Sequence, residues 1–320
     1  MRYGYYPGCS LSGLARPYDM STKAIAEPLG IQLEEVEDWN CCGATEYFAV
    51  NKMAAYALVG RNLANAAQQK SFTDLVAPCS ACYVNLRKTD HNMGKYPKLA
   101  QKVNKALEAG DLSYDPGTLQ VRHLIDIIVN DIGYDAIREK VKEPLKGLRI
   151  APYYGCLIVR PELGEPLDDP EYPMSLDLLM EALGAQVVDF PLKAHCCGGH
   201  MTQISSDTAY ELIRRLLHNA AEYDADAIVT LCPICQLNLD AYQSNINRHF
   251  GTDFKIPILF FTQMIGLALG MPPKSLGIGK EFVSAAAMLR KIGTEPELEA
   301  APTGKKQDDK SLPMPGKREG

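Results

Sequence analysis

Ten cysteines fall into two sets of five with the same internal order. The first set is Cys9, Cys41, Cys42, Cys79 and Cys82; the second is Cys156, Cys196, Cys197, Cys232 and Cys235. Each reads C, long gap, CCG, long gap, CxxC. The gap before CCG is 31 residues in the first set and 39 in the second, and the gap from CCG to CxxC is 36 and 34. The flanks repeat as well: "YYPGC" answers "APYYGC", Leu29 and Gly30 answer Leu183 and Gly184, and the run Asn65, Ala66, Ala67 answers Asn219, Ala220, Ala221. Five matched cysteines with matched flanks mark an internal duplication, so the chain is expected to fold as two copies of one unit. At 320 residues it is long enough for two modules with sizeable cores.

The segments between the cysteines alternate in type. "RYGYY", "IQLEEVEDW" and "FTDLVA" have strand-like composition or alternation, and each runs shortly into Cys9, Cys41 or Cys79. The second copy repeats this with "LRIAPYY", "AQVVDF" and "DAIVTL" before Cys156, Cys196 and Cys232. Between them lie helical patterns: "STKAIAEPLG", closed by Gly30, "NKMAAYALVGRNLANAAQQ", "YVNLRKT", "MSLDLLMEALG" and "AYELIRRLLHNAAEY". Strands alternating with helices predict an α/β fold of two tandem, pseudo-symmetric Rossmann-like modules with parallel sheets, their sites at the strand C-terminal ends. Three strand ends meeting in one crevice would gather five thiols from distant positions. The modules are expected at residues 1–146 and 147–294. Residues 295–320, rich in Pro, Gly and charge, are expected to be a disordered tail.

Composition narrows the function. A net charge of −6 gives no basic footprint for nucleic acid. No apolar run reaches the roughly 18 residues of a membrane helix, and "MRYGYYPGCSLSG" lacks a signal-peptide core. The chain therefore reads as cytoplasmic, without direct membrane insertion. In a reducing compartment clustered cysteines bind metal or do chemistry more often than they form disulfides. Structural zinc takes four ligands, and each set offers five. Thioredoxin-like use of "CSAC" and "CPIC" leaves the CCG pairs unexplained. Iron–sulfur centres require soft thiolates, and adjacent cysteines suit neighbouring irons. Five thiolates exceed the four of an ordinary cubane, so spacing leaves open a spare thiol or an unusual cluster.

With "YYPGCSLSG", "DWNCCGA" and "HCCGGH" in place, the doubled C–CCG–CxxC pattern resembles the B-type subunit of the heterodisulfide reductase family over roughly residues 1–290. The resemblance implies two non-cubane [4Fe–4S] clusters, one held by each set of five cysteines, with zinc in one module as the alternative. It implies an oxidoreductase that cleaves or forms a disulfide, such as that of coenzyme M and coenzyme B or another small or carrier-bound disulfide. It also implies two partners of that family: a small C-type subunit carrying cubane clusters, and a flavin-bearing A-type subunit. The alternative is a non-catalytic electron-relay or docking subunit, related to the cysteine-rich subunits of quinone-linked dehydrogenases. Two equivalent centres facing each other suit a two-electron cleavage.

Other side chains are candidates beside these. Protons must reach departing thiolates, which points to His195, with His200 and Lys193 near it. Arg16 and Arg160 follow the first cysteine of each set and could bind an anionic group. Tyr5, Tyr6, Tyr153 and Tyr154 could shield the centres from water. His91, His123, His218 and His249 read as helical surface or capping residues. The sequence has no CxxCxxCxxxC run and no GxGxxG after a strand, so a chain of this kind needs an electron-supplying partner.

Overall fold

The computed structural model describes residues 1–44, 46–160 and 167–294. Two four-stranded sheets form its frame. The first holds β1 (Arg2–Tyr5), β2 (Gln32–Glu35), β3 (Asp74–Ala77) and β4 (Gln120–His123), and the second holds β5 (Arg149–Tyr153), β6 (Gln186–Val187), β7 (Ala227–Thr230) and β8 (Ile258–Phe260). The orders are β2-β1-β3-β4 and β6-β5-β7-β8, and every pairing is parallel. The two modules thus share one topology, as the duplication requires. Their central strands are short apolar runs such as "LVA" and "AIVT", because helices cover both faces of a parallel sheet. The tail expected at 295–320 lies outside the described residues.

Both sheets reverse their winding between the first and third strands, at β1/β3 and β5/β7. In open α/β sheets this switch point opens a crevice at the strand C-termini. Cys9 and Cys79 follow β1 and β3, and Cys156 and Cys232 follow β5 and β7.

The fourth strand of each sheet, "QVRH" and "ILF", is not evident from sequence pattern. Each is three or four residues long, too short to show a period. His123 is a case in point. Its sequence context suggests a helix surface or a cap. It caps, but from the end of β4 and not on a surface: it is fully buried, and its Nδ1 accepts the Ile125 amide at the start of the turn that follows. His91, His218 and His249 do lie exposed on helices.

Each sheet lies wholly on one side of residue 146, the division expected between the modules, but helix packing crosses it. The helix Phe261–Ala268, which follows β8, packs on the first module's helix Arg16–Ala26. Tyr18 stacks on Phe260 at 4.2 Å, and Ser21 Oγ lies 2.6 Å from Thr262 Oγ1. Reciprocally, the helix Tyr134–Lys140, which follows β4, packs on Ser175–Ala182 of the second module, and the Tyr134 hydroxyl donates to the Ser175 carbonyl at 3.3 Å. One apolar core consequently runs through both modules.

Candidate metal centre

The ten cysteines gather into two groups, one per module. In the first, Cys9 and Cys41 sulfurs lie 3.4 Å apart, as do those of Cys42 and Cys82. In the second, Cys197 and Cys235 are 3.5 Å apart, and Cys156 hydrogen-bonds Cys196. None forms a disulfide. Cys9, Cys41 and Cys196 are exposed and Cys156 is half-buried, while the other six are buried, so each group has a wet side and a dry side. Among the described residues, no group of three or more His, Cys, Asp or Glu side chains is set to hold a single metal ion.

The supports repeat from one group to the other. Cys79 and Cys232 are the N-cap residues of the helices Ser80–Lys95 and Pro233–Ala241. The amides of Gly43 and Gly198 point at the sulfurs of Cys41 and Cys196, at 3.4 and 3.3 Å. Cys42 and Cys9 hold the Cys41 thiol well below its usual range, and a hydrogen bond from Cys156, with that amide, draws Cys196 down to about 6. The first CCG cysteine in each module is therefore the readiest thiolate. Gly8 and Gly155 sit at φ +70° and +71°, and a Cβ on either would lie 2.8 and 3.0 Å from the sulfurs of Cys82 and Cys235. Only glycine leaves those sulfurs room.

Two further pairs hold the CCG loops. The hydroxyls of Tyr6 and Tyr153 donate to the carbonyls of Asn40 and His195, the residues just before each CCG, at 2.5 and 2.7 Å. Asn85 and Asn238 each reach back into the CCG turn. Their amides contact the carbonyls of Cys42 and Cys197, both at 3.2 Å, and those of Ala44 and Gly199. They also approach the Cys42 and Cys197 sulfurs, at 3.7 and 3.6 Å. Sequence reasoning missed these two asparagines. The signal was there: each stands three residues after the last cysteine of its set, in "CYVN" and "CQLN".

The two groups adjoin. The buried Tyr18 hydroxyl lies 3.2 Å from the Pro78 carbonyl and 3.3 Å from the Leu231 carbonyl, the residues immediately before the two CxxC motifs. A cavity of about 60 Å³ at the second group is lined by its five cysteines, by Tyr154 and His200, and by Ser80 of the first module. His200 pairs with Glu46 of the first module, so the rim also joins the two halves.

The remaining candidates separate. His195 is exposed and is not among the residues lining the cavity, whereas His200 is. Lys193 is turned away into a buried ion pair, its Nζ 3.0 Å from Asp177 and 3.7 Å from the Tyr172 ring centre. Burial raises the Asp177 carboxyl, against the opposing pull of its Tyr154 and Lys193 hydrogen bonds. The Lys193 carbonyl receives the Tyr154 and Gly155 amides, so this residue braces the loop between β5 and Cys156. Arg160 is taken up by the carbonyls of Pro170 and Ala194 and by Glu171, a structural role; Arg16 is exposed. Tyr5, Tyr6, Tyr153 and Tyr154 are all buried.

The cysteine-rich CCG domain model matches residues 3–87 and again 150–240. The chain is 31% identical to the B-type subunit of the ferredoxin:CoB-CoM heterodisulfide reductase of Methanosarcina mazei, over 89% of this chain and 95% of that one. It belongs to the heterodisulfide reductase B-type family of duplicated CCG proteins. A further relative of this family member is the 8-methylmenaquinol:fumarate reductase membrane anchor subunit of Wolinella succinogenes, 34% identical over 89% of this chain and 98% of that one. The CCG fold also resembles a solved hypothetical protein from Helicobacter pylori, with a TM-score of 0.70 at 13% identity. That match covers 88% of this chain and 52% of the other. Among the described residues of the CCG protein, no helix is long and apolar enough to cross a membrane.

Proposed function

We propose that the chain is the iron–sulfur subunit of a heterodisulfide reductase-like complex and cleaves, or forms, a disulfide between two [4Fe–4S] clusters of non-cubane type. The observation that carries this reading is the side-by-side placement of two five-thiol groups, joined through Tyr18 at the residues preceding both CxxC motifs. Cys9, Cys41, Cys42, Cys79 and Cys82 would hold one cluster; Cys156, Cys196, Cys197, Cys232 and Cys235 the other. The donor set fits: all ligands are soft thiols, and the close approach of Gly8 and Gly155 to the innermost sulfurs leaves no space for a side chain. When bound, such clusters supply one electron each and a Lewis-acidic iron for sulfur.

The chain's own residues do the rest. The glycine amides and paired asparagines hold the CCG turns in shape before any metal arrives. The buried tyrosines keep water from the inner sulfurs. His195, exposed beside Cys196, is the group we assign to bring protons from solvent to the departing thiolates. His200, held by Glu46, lines the centre closer in. The substrate is a small or carrier-bound disulfide. Electrons come from a C-type partner with cubane clusters, itself served by a flavin-bearing A-type partner, in the cytoplasm.

A second reading has an observation of its own. The 34% identical relative is named as the membrane anchor subunit of a quinol:fumarate reductase. On that reading the chain relays electrons or docks partners, with one cluster and one structural zinc. Metal and acid-labile sulfide analysis of anaerobically purified protein separates the two. About eight irons with matching sulfide per chain are expected, together with reductant-dependent disulfide cleavage. About four irons and one zinc, with no cleavage of any disulfide offered, would support the relay reading and overturn the first.

A further inference from the structure

The two CxxC motifs differ at one telling position. After Cys79 comes Ser80, in "CSAC"; after Cys232 comes Pro233, in "CPIC". Tyr18 holds the two motifs close together, and Ser80 uses that closeness. It belongs to the first module but lines the cavity of the second, among Cys156, Cys196, Cys197, Cys232 and Cys235. Ser80 is 1% exposed, and its Oγ has no hydrogen-bond partner among the described residues. A buried hydroxyl left without a partner is unfavourable and is rarely retained without a role. What surrounds it in that cavity is mainly sulfur, Cys232 included, so a thiolate or cluster sulfur of the second group is the acceptor within its reach. Pro233 has neither a hydroxyl nor an N–H to offer in return. The other supports, from the glycine amides to the asparagines, are paired between the modules. Ser80 is not.

We propose that Ser80 donates a hydrogen bond across the module boundary to a sulfur of the second-module group, and so sets the reduction potential of the second-module centre above that of the first. The inference rests on the iron–sulfur reading given above. Hydrogen bonds to the sulfurs are one of the levers that set cluster potentials. Adding one electron to a centre makes its sulfurs more negative. A fixed donor then stabilises the reduced form more than the oxidised form, and the midpoint rises. Electrons delivered singly enter the second-module centre first and the first-module centre second. The two halves of a duplicated chain become inequivalent through a single hydroxyl, and a disulfide lying between them would meet two different centres.

The test is a potentiometric titration with dithionite, followed by electron paramagnetic resonance, on the full chain purified anaerobically as wild type, Ser80→Ala and Ser80→Thr. Iron and sulfide are assayed on the same samples. Wild type is expected to show two midpoints. Ser80→Ala lowers the higher one and leaves the lower one in place, and Ser80→Thr, which keeps the hydroxyl, restores the wild-type pair. A purely packing role for Ser80 would not move one midpoint alone. Full iron in all three proteins with both midpoints unmoved in Ser80→Ala overturns the role of Ser80 and leaves the iron–sulfur reading standing. A wild-type chain without iron, or with a redox-silent metal in the second module, overturns both.

Discussion

His123 shows how a single side chain can couple this fold to pH. Burial lowers its imidazole to about 3, against a weaker opposing pull from the Pro78 carbonyl and Asp126. In the unfolded chain it titrates near 6.5. Between those values the unfolded state binds a proton that the folded state refuses, so stability is complete above 6.5 and is lost as pH falls towards 3. The expected loss from this residue is about 2 kcal/mol by pH 5. His123→Asn keeps an acceptor for the Ile125 amide but cannot titrate in this range. Anaerobic urea unfolding at pH 7 and pH 5 should therefore show a shallower pH dependence in the variant. Equal slopes in the two proteins would mean that His123 is not a source of the acid sensitivity.

Among the elements, the helix Arg16–Ala26 has the most to do. Its first turn places Tyr18 between the two CxxC loops, and its buried face receives Phe260 and Phe261 from the other module. Tyr18→Phe keeps the ring stack on Phe260 but removes the hydroxyl from two buried carbonyls. The expected cost is about 1–3 kcal/mol, because the one O–H that the two buried carbonyls share is lost. The change acts on both loops, so iron content should fall in both centres together. A stability within about 0.5 kcal/mol of wild type, with full iron, would remove Tyr18 from this role.

At the scale of the whole molecule, the two modules look separable in sequence but are locked by reciprocal helix packing. Residues 1–146 expressed alone would expose the face that Phe261–Ala268 covers, and would lack the partner of Tyr134–Lys140. That fragment is expected to lack a cooperative unfolding transition and to regain one when residues 147–294 are expressed with it. A sharp, reversible transition in the isolated fragment would show that the exchange of helices is incidental to folding.

The duplication, the alternation of strand and helix, and the two matched sets of five cysteines were legible in the sequence. These follow from local pattern and residue type, which a chain displays without being folded. It also carried the paired asparagines, Asn85 and Asn238, in plain view. Their meaning was hidden because a hydrogen bond back to a turn some 40 residues away has no local signature. The fourth strands were illegible for a related reason: "QVRH" and "ILF" are strands only because β3 and β7 lie beside them. Tertiary structure alone decided that Lys193 braces a loop from a buried ion pair, that His200 rather than His195 lines the centre, and that Ser80 of one module faces the sulfurs of the other. Each depends on distances between distant segments, and those are set by packing of the whole chain.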